Sequence, residues 1–226
     1  MSPREDILGL VRDAIGRSAD SPPPSTPEYA NAALIPARAR GTPSELVCRF
    51  IDLATEAEST IDRIATIAEL GTAVAGWLAD NDLPSNIVVA PDPALDGAGW
   101  DDTGLTVRRG AATGEDLVSV TPTFAGIAET GTLMVTATPD NPYTLNFLPD
   151  THIAVLDTGT IVGGYEDAWA RLRRNGEKGG DLPRSVTLIT GPSRSSDIER
   201  IVTIGVHGPR RLHIVLVGKA DGEETQ

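Results

Sequence analysis

The 226-residue chain is poor in several residue types, and each scarcity excludes a class of function. Its one cysteine, Cys48, excludes an internal disulfide, a four-cysteine zinc site and an iron–sulfur cluster ligated by this chain alone. Its three histidines lack metal-ligand spacing, so no metal or other cofactor is predicted. Because 32 acidic residues outnumber 19 basic ones, for a net charge of −13, nucleic acid and anionic membranes are poor partners.

Long apolar runs are also missing. The most apolar helical stretch, residues 64–79, contains Glu69 and is too short to span a bilayer. The first residues show no basic segment leading into an apolar one, as a secretory signal would. Since 40% of the residues are apolar, the chain can still build a core, and we expect a soluble cytoplasmic protein without a membrane span.

The chain divides into four predicted regions. These are an N-terminal helical arm (1–18), a proline-rich linker (19–41), an α/β domain (42–220) and an acidic tail (221–226). Ser2 and Glu5 form a capping-box pattern that opens the arm, with Pro3 at the first helical position. The apolar stripe of the arm must pack either on its own domain or on a partner.

Within the main region, strands alternate with helices. A capping box at Thr42-Pro-Ser-Glu45 predicts a helix in which Cys48 is an inert core residue. Further helices are predicted over 64–78, 165–174 and 196–202. Apolar or alternating runs predict strands at 87–90, 105–107, 117–121, 132–136, 153–156, 186–189 and 212–217. The pattern indicates an α/β fold with a mostly parallel open sheet covered by helices on both faces.

Ligands of such sheets bind beyond the carboxyl ends of the strands, and three glycine-containing turns fit that position. The first is Thr190-Gly-Pro-Ser-Arg-Ser-Ser-Asp-Ile-Glu199, which follows a predicted strand. The backbone N–H groups of the helix predicted there, together with Arg194, would bind a carboxylate or phosphate. The alternative is a capped helix that binds nothing, since Asp197 and Glu199 would repel an anion.

The second turn, Ala125-Gly-Ile-Ala-Glu-Thr-Gly-Thr-Leu133, places Glu129 next to an apolar strand. A buried carboxylate must be paired, hydrogen-bonded or raised in pKa, and such groups include general bases and covalent nucleophiles. Gly131 would let a ligand or a neighbouring backbone approach closely. The alternative is a carboxylate that accepts local N–H bonds in a turn.

The third turn is Gly205-Val-His-Gly-Pro209, where His207 lies between glycines and can act as an acid, a base or a ligand donor. The alternative is a turn histidine that bonds the backbone. His152 is expected to make a structural hydrogen bond, and His213 is expected in the core.

These segments resemble a known family. Ala128-Glu-Thr-Gly-Thr-Leu133, Leu148-Pro-Asp-Thr-His-Ile153, Gly191-Pro-Ser-Arg-Ser-Ser-Asp-Ile-Glu199 and Gly205-Val-His-Gly-Pro209 occur in the order typical of the LUD domain of the lactate-utilisation protein C family. The resemblance covers about residues 42–220, although the family usually has Thr-Ala where this chain has Ser195-Ser196. It implies a fold like the glucosamine-phosphate deaminase, ribose-phosphate isomerase and CoA-transferase group.

The resemblance further implies a role in oxidation of L-lactate to pyruvate, alongside iron–sulfur and cysteine-rich partner proteins. Our leading hypothesis is an accessory, non-redox component that binds a small carboxylate or phosphate. Its predicted catalytic residues are Glu129 and His207. Its predicted ligand-binding residues are Thr130, Gly131, Thr132, Gly191, Ser193, Arg194, Ser195, Ser196, Asp197 and Gly208.

Two other classes of function stay open at this stage. One is a stand-alone enzyme of the sugar-phosphate isomerase, CoA-transferase or formyltetrahydrofolate cyclo-ligase type, in which Glu129 would be the nucleophile. The other is an interaction scaffold that captures partners through the N-terminal arm. The substrate and any homo-oligomer also stay open.

Overall fold

The computed structural model describes residues 3–16, 18, 35–177, 182–196 and 202–218. Its helices are α1 (Pro3–Ala14), α2 (Pro43–Glu56), α3 (Leu70–Asp80) and α4 (Tyr165–Glu177). Its strands are β1 (Thr60–Ile64), β2 (Asn86–Val89), β3 (Thr106–Arg109), β4 (Val118–Pro122), β5 (Ala125–Ile127), β6 (Thr132–Thr136), β7 (Thr151–Asp157), β8 (Ile161–Val162), β9 (Val186–Ile189), β10 (Arg194–Ser196), β11 (Val202–Ile204) and β12 (Arg211–Val217).

The chain forms two compact units, Met1–Ile35 and Pro36–Gln226. Helix α1 belongs to the first unit, as its capping pattern predicts, and its apolar side chains Ile7, Leu10 and Val11 are exposed. Ser2, the proposed cap of this helix, lies outside the described residues. No helix in the described part of the chain is long and apolar enough to cross a membrane.

The second unit is built on a six-stranded sheet in the order β1-β12-β7-β4-β2-β3, and every neighbouring pair in it is parallel. The apolar strands β7 and β12 are neighbours in the interior of this sheet, where both faces are covered. Near-continuous apolar strands are what a parallel sheet buried on both faces requires. The predicted α/β fold with an open, mostly parallel sheet is therefore confirmed.

Alternate side chains of the central strands enter two separate cores. Ile153 and Val155 of β7 pack on the face that helix α3 covers, whereas Ala154 and Leu156 pack on the opposite face. Helix α2 covers that opposite face with Phe50 and other apolar side chains. This division follows from the two-residue period of a strand.

A second sheet, rather than more strands of the first, also packs on the α2 face. Its order is β8-β5-β6-β9, with β6 antiparallel to both β5 and β9. The expectation that the three glycine-containing turns belong to one sheet is wrong. The turns at Glu129 and Gly191 flank strands of the second sheet, whereas the turn at His207 leads into β12 of the first.

The capping box of α2 is confirmed, but the expected burial of Cys48 is not. The Thr42 hydroxyl accepts from the backbone N–H of Glu45, while the Glu45 carboxylate accepts from the backbone N–H of Thr42 at 2.7 Å. Cys48 is exposed, because the inward-facing stripe of α2 runs through Val47 and Phe50.

Two predicted helices differ from the structure. The segment 64–78 contains the end of an edge strand, β1, before α3 begins at Leu70. In the segment 196–202, the first residue belongs to β10 and the last to β11, which pair antiparallel. Residues 197–201 lie outside the described residues. Each of these two strands has only three residues, too few for a hydrophobic period to be recognised.

Candidate functional site

A cavity of about 460 Å³ lies at the amino-terminal edge of the six-stranded sheet. His152 and Leu212 line it, and each is the second residue of its parallel strand, β7 or β12. The sequence placed the first candidate turn after the strand at 186–189, and residues from the end of that strand also line the cavity. The carboxyl end that does contribute is that of β9, in the second sheet. Polar side chains around the cavity are Asn146, His152, Thr190, Ser193, Arg194 and His207.

Arg194 begins strand β10 and is fixed against the end of helix α2. Its Nη2 donates to the backbone carbonyl of Ala57 at 3.1 Å and pairs with the Glu58 carboxylate at 2.7 Å. The prediction that a helix begins beside Arg194 is wrong for the described residues, because residues 194–196 form a strand. Any anion held here would therefore depend on the guanidinium and on loop N–H groups rather than on a helix dipole.

Ser193 joins the loop after β9 to the loop before β12. Its backbone N–H donates to the carbonyl of Pro209 at 2.9 Å, and its carbonyl accepts from the backbone N–H of Gly205 at 2.9 Å. Its hydroxyl accepts from the backbone N–H of His207 at 3.3 Å. These bonds hold the exposed His207 at the cavity beside Gly208. Arg194 and His207, which belong to two different predicted turns, thus line the same cavity.

His152 lies fully buried at the same cavity. Its Nε2 is 2.7 Å from the hydroxyl of Thr121, which confirms the expected structural hydrogen bond. Thr121 in turn donates to the Asn146 side-chain oxygen at 3.2 Å. Burial lowers the pKa of His152 from 6.5 to about 4, because desolvation disfavours the charged ring.

Glu129 lies elsewhere, in the turn that joins β5 to β6. Only 8% of the residue is exposed, and Arg38 donates to its Oε1 from Nη2 at 3.2 Å. Its backbone N–H donates to the carbonyl of Gly163 at 2.9 Å. The carboxylate is therefore both buried and paired, as its sequence context requires. Within the described part of the chain it is not among the residues that line the cavity of Arg194 and His207.

A line of hydroxyl groups connects the Glu129 turn to that cavity. Thr130 Oγ1 is 2.7 Å from Thr132 Oγ1 and 2.9 Å from the hydroxyl of Tyr165. Thr132 Oγ1 is 2.6 Å from the hydroxyl of Thr190, which lines the cavity. The predicted ligand-binding residues Thr130 and Thr132 thus bond to each other and to neighbouring side chains.

Gly131 and Gly191 allow both turns to contact helix α2. Their backbones have φ of +64° and +72°, a region that other residues rarely adopt. A Cβ on Gly131 would collide with the backbone nitrogen of Ala54, and one on Gly191 with the carbonyl of Ala57. For Gly131, the group that approaches closely is therefore a neighbouring backbone.

The structure describes two of the three remaining predicted ligand-binding residues. Ser195 and Ser196 belong to β10, and Asp197 lies outside the described residues. Sequence reasoning missed Arg38, Asn146 and the full environment of His152. The only signal for Arg38 was its place near the end of the proline-rich linker, where two arginines alternate with alanines.

Among the described residues, no group of three or more His, Cys, Asp or Glu side chains is arranged to hold a metal ion. The cavity instead combines a guanidinium, an imidazole and hydroxyl groups beside apolar strand residues. The volume of the cavity lies within the range that is typical of small-molecule sites, roughly 300–1,000 Å³. Chemically, the arrangement can bind an anion, donate hydrogen bonds to it and exchange a proton through His207.

The fold and this cavity define a class of protein: an α/β protein with an open parallel sheet and a polar cavity beneath a second sheet. A solved structure with a similar fold is that of a DUF162 family protein from Deinococcus radiodurans. It matches with a TM-score of 0.61 and 25% identity, over 79% of this chain and 100% of the other.

A family model described as the LUD domain matches residues 107–217 of this chain. Lactate utilization protein C of Geobacillus kaustophilus is 37% identical over 91 residues, which are 40% of this chain and 38% of that protein. Lactate utilization protein C of Exiguobacterium is 29% identical over 223 residues, 95% of each chain. The predicted family is thereby confirmed.

Proposed function

We propose that this protein is a non-redox component of lactate utilisation that binds an anionic metabolite in the cavity between Arg194 and His207. One observation carries the proposal. The first residue of β10 and the loop before β12 place a guanidinium and an exposed imidazole around the same cavity, and Ser193 joins these two segments by hydrogen bonds. The relatives named lactate utilization protein C supply the metabolic context.

Arg194 is the principal anion-binding group in this proposal. Both of its contacts within the described residues use Nη2, which leaves the rest of the planar guanidinium to face a ligand. A carboxylate or phosphate would accept from it, and His207 would add a second donor when protonated. Local donors are needed because the net charge of −13 repels anions at long range.

The redox chemistry of lactate oxidation would belong to partner proteins. This chain supplies a single thiol, Cys48, which lies exposed on α2. Iron–sulfur clusters are usually held by four cysteine thiolates. We therefore propose that iron–sulfur and cysteine-rich lactate-utilisation proteins act with it in the cytoplasm.

Calorimetric titration of the purified protein with lactate, pyruvate and phosphorylated metabolites tests the site. We expect saturable binding of one class of anion, weakened about tenfold or more in Arg194→Ala, since a charge-assisted hydrogen bond contributes roughly 1.5–3 kcal/mol. Arg109→Ala is the matched control, because it also removes one positive charge and one surface ion pair, with Asp96. Failure to bind at millimolar concentrations, or equal binding by both variants, would refute the site.

A second candidate is an enzyme that uses Glu129 as a covalent nucleophile, in the manner of a CoA-transferase. The observation in its favour is that Glu129 is a buried carboxylate, the residue type that forms covalent intermediates in such enzymes, and that Arg38 lies 3.2 Å from its Oε1. Incubation with acyl-CoA followed by hydroxylamine or borohydride should then modify Glu129, as detected by mass spectrometry. An unmodified Glu129 together with no turnover would exclude this candidate.

A further inference from the structure

The cavity contains one polar group that anion binding leaves unused. His152 is fully buried and lines the cavity, and its Nδ1 has no hydrogen-bond partner in the described part of the chain. Buried polar atoms in folded proteins almost always have a partner, so each exception needs an explanation. An orphaned nitrogen on a side chain that lines a cavity is a place where a ligand can supply that partner.

The neighbours of His152 determine which kind of partner it needs. Thr121 has one hydroxyl proton, which it donates to the side-chain oxygen of Asn146 at 3.2 Å. With the Asn146 amide in this orientation, the hydroxyl accepts at its 2.7 Å contact with His152, which assigns the ring proton to Nε2.

Because burial lowers the pKa of His152 to about 4, the ring is neutral near pH 7 and holds a single proton. With that proton on Nε2, Nδ1 presents a bare lone pair. Nδ1 is then a hydrogen-bond acceptor, and it can be satisfied only by a donor.

Building on the proposed function, we propose that His152 Nδ1 accepts from a hydroxyl group of the bound anion, so that the site selects hydroxylated acids over keto or deoxy analogues. Arg194 would hold the anionic group and His152 would recognise the hydroxyl. A keto oxygen cannot donate to Nδ1, and a deoxy analogue leaves Nδ1 unpaired.

The other buried histidine is a natural control. His213 also has a ring nitrogen without a hydrogen bond, Nε2, which lies 3.6 Å from Asp62 Oδ2, and it is also fully buried. Its side chain, however, lies on the opposite face of the sheet, stacked on Trp77 at 4.2 Å between ring centroids, and it is not among the residues lining the cavity. Substitution of His213 therefore tests the effect of altering a buried histidine without altering the cavity.

The test is a titration with lactate, propionate and pyruvate, three acids of equal carbon number that differ at the second carbon. We expect lactate to bind about tenfold more tightly than the other two, the usual value of one hydrogen bond in a buried site. In His152→Gln, whose side-chain amide can still reach Thr121, this preference should disappear. In His213→Gln it should persist.

The outcomes separate the two proposals. Absence of binding by all three acids would overturn both proposals. Binding with equal affinities, or a preference for pyruvate, would overturn the role of His152 and leave the anion site intact. Long-range ¹H–¹⁵N correlation spectra of the unaltered protein test the same point independently of any variant: Nε2 should carry the proton of His152, and a proton on Nδ1 would overturn the proposal.

Discussion

The turn at Glu129 and the cavity at Arg194 carry the most polar motifs of the chain, yet their charges have different surroundings. Glu129 is buried and paired with Arg38 inside the fold. Arg194 and His207 are exposed and border a space of about 460 Å³. The carboxylate of Glu129 is paired inside the protein, whereas Arg194, which pairs with Glu58 through Nη2, leaves the rest of its guanidinium available to a ligand at the cavity. The comparison shows that a polar motif beside an apolar strand does not by itself distinguish a structural ion pair from a binding site.

The two regions are nevertheless in contact. Their glycines, Gly131 and Gly191, lie against Ala54 and Ala57 near the end of α2, and a 2.6 Å hydroxyl contact joins Thr132 to Thr190. A change in one turn therefore has a direct physical route to the other.

Gly131→Ala should have the largest effect on stability. It forces a side chain into a left-handed backbone and into the backbone of α2, so we expect a loss of about 4 kcal/mol in the free energy of unfolding. Gly97→Ala is the matched control, because Gly97 has a similar φ of +75° with nothing within 4 Å of the added carbon. Chemical denaturation measures both. Equal losses would contradict the close approach to α2.

Acidification should destabilise the protein through its buried histidines. The pKa of His152 and that of His213 are lowered by burial from 6.5 to about 4, so the unfolded chain binds more protons between those values. The contribution of each histidine to the free energy of unfolding is therefore fully present above pH 6.5. It is lost as the pH decreases toward 4, and the loss is about 2 kcal/mol per histidine at pH 5.

The check is the slope of unfolding free energy against pH between 6.5 and 5, above the usual range of carboxyl groups. His152→Gln should remove about half of the histidine contribution. A slope unchanged by the substitution would mean that His152 is not kept neutral by burial.

Arg38→Ala should destabilise the Glu129 turn by a smaller amount. It leaves a buried carboxylate unpaired, but the Arg38 side chain is 64% exposed, so solvent screens the pair and we expect a loss of about 1.5 kcal/mol. Arg109→Ala, which breaks a surface ion pair, should cost less than about 0.5 kcal/mol in the same denaturation assay. Indistinguishable losses would show that burial of Glu129 contributes nothing.

The smallest expected effect concerns the hydroxyl contact between Thr132 and Thr190, which joins the Glu129 turn to the cavity. In a double-mutant cycle of Thr132→Val and Thr190→Val, the coupling free energy should be about 1 kcal/mol, the value of one partly buried hydrogen bond. A coupling near zero would show that the two turns are energetically independent.

The sequence predicted the central elements of this fold closely. The bounds of β6 and β9 match the expected runs 132–136 and 186–189, because apolar residues between turn signals leave little choice of register. Edge strand β1 and the paired strands β10 and β11 were missed, because β1 is mostly polar and the other two have only three residues each.

The site was predicted in part for a similar reason. Glycine-flanked polar residues identified Arg194, Ser193 and His207 as loop positions, and they do share a cavity. The partner of Glu129 lies 91 residues away in the chain, at Arg38, and no local pattern specifies such a contact. His152 was correctly expected to make a structural bond, but only the tertiary fold shows that it also lines the cavity.

The most direct test of the anion site is a crystal structure of the protein grown with the tightest-binding anion found by titration. Density for the ligand should lie in the cavity, with its carboxylate or phosphate oxygens within hydrogen-bond distance of the Arg194 guanidinium. Density beside Glu129 and Arg38 instead, with the Arg194 cavity holding solvent alone, would contradict the account.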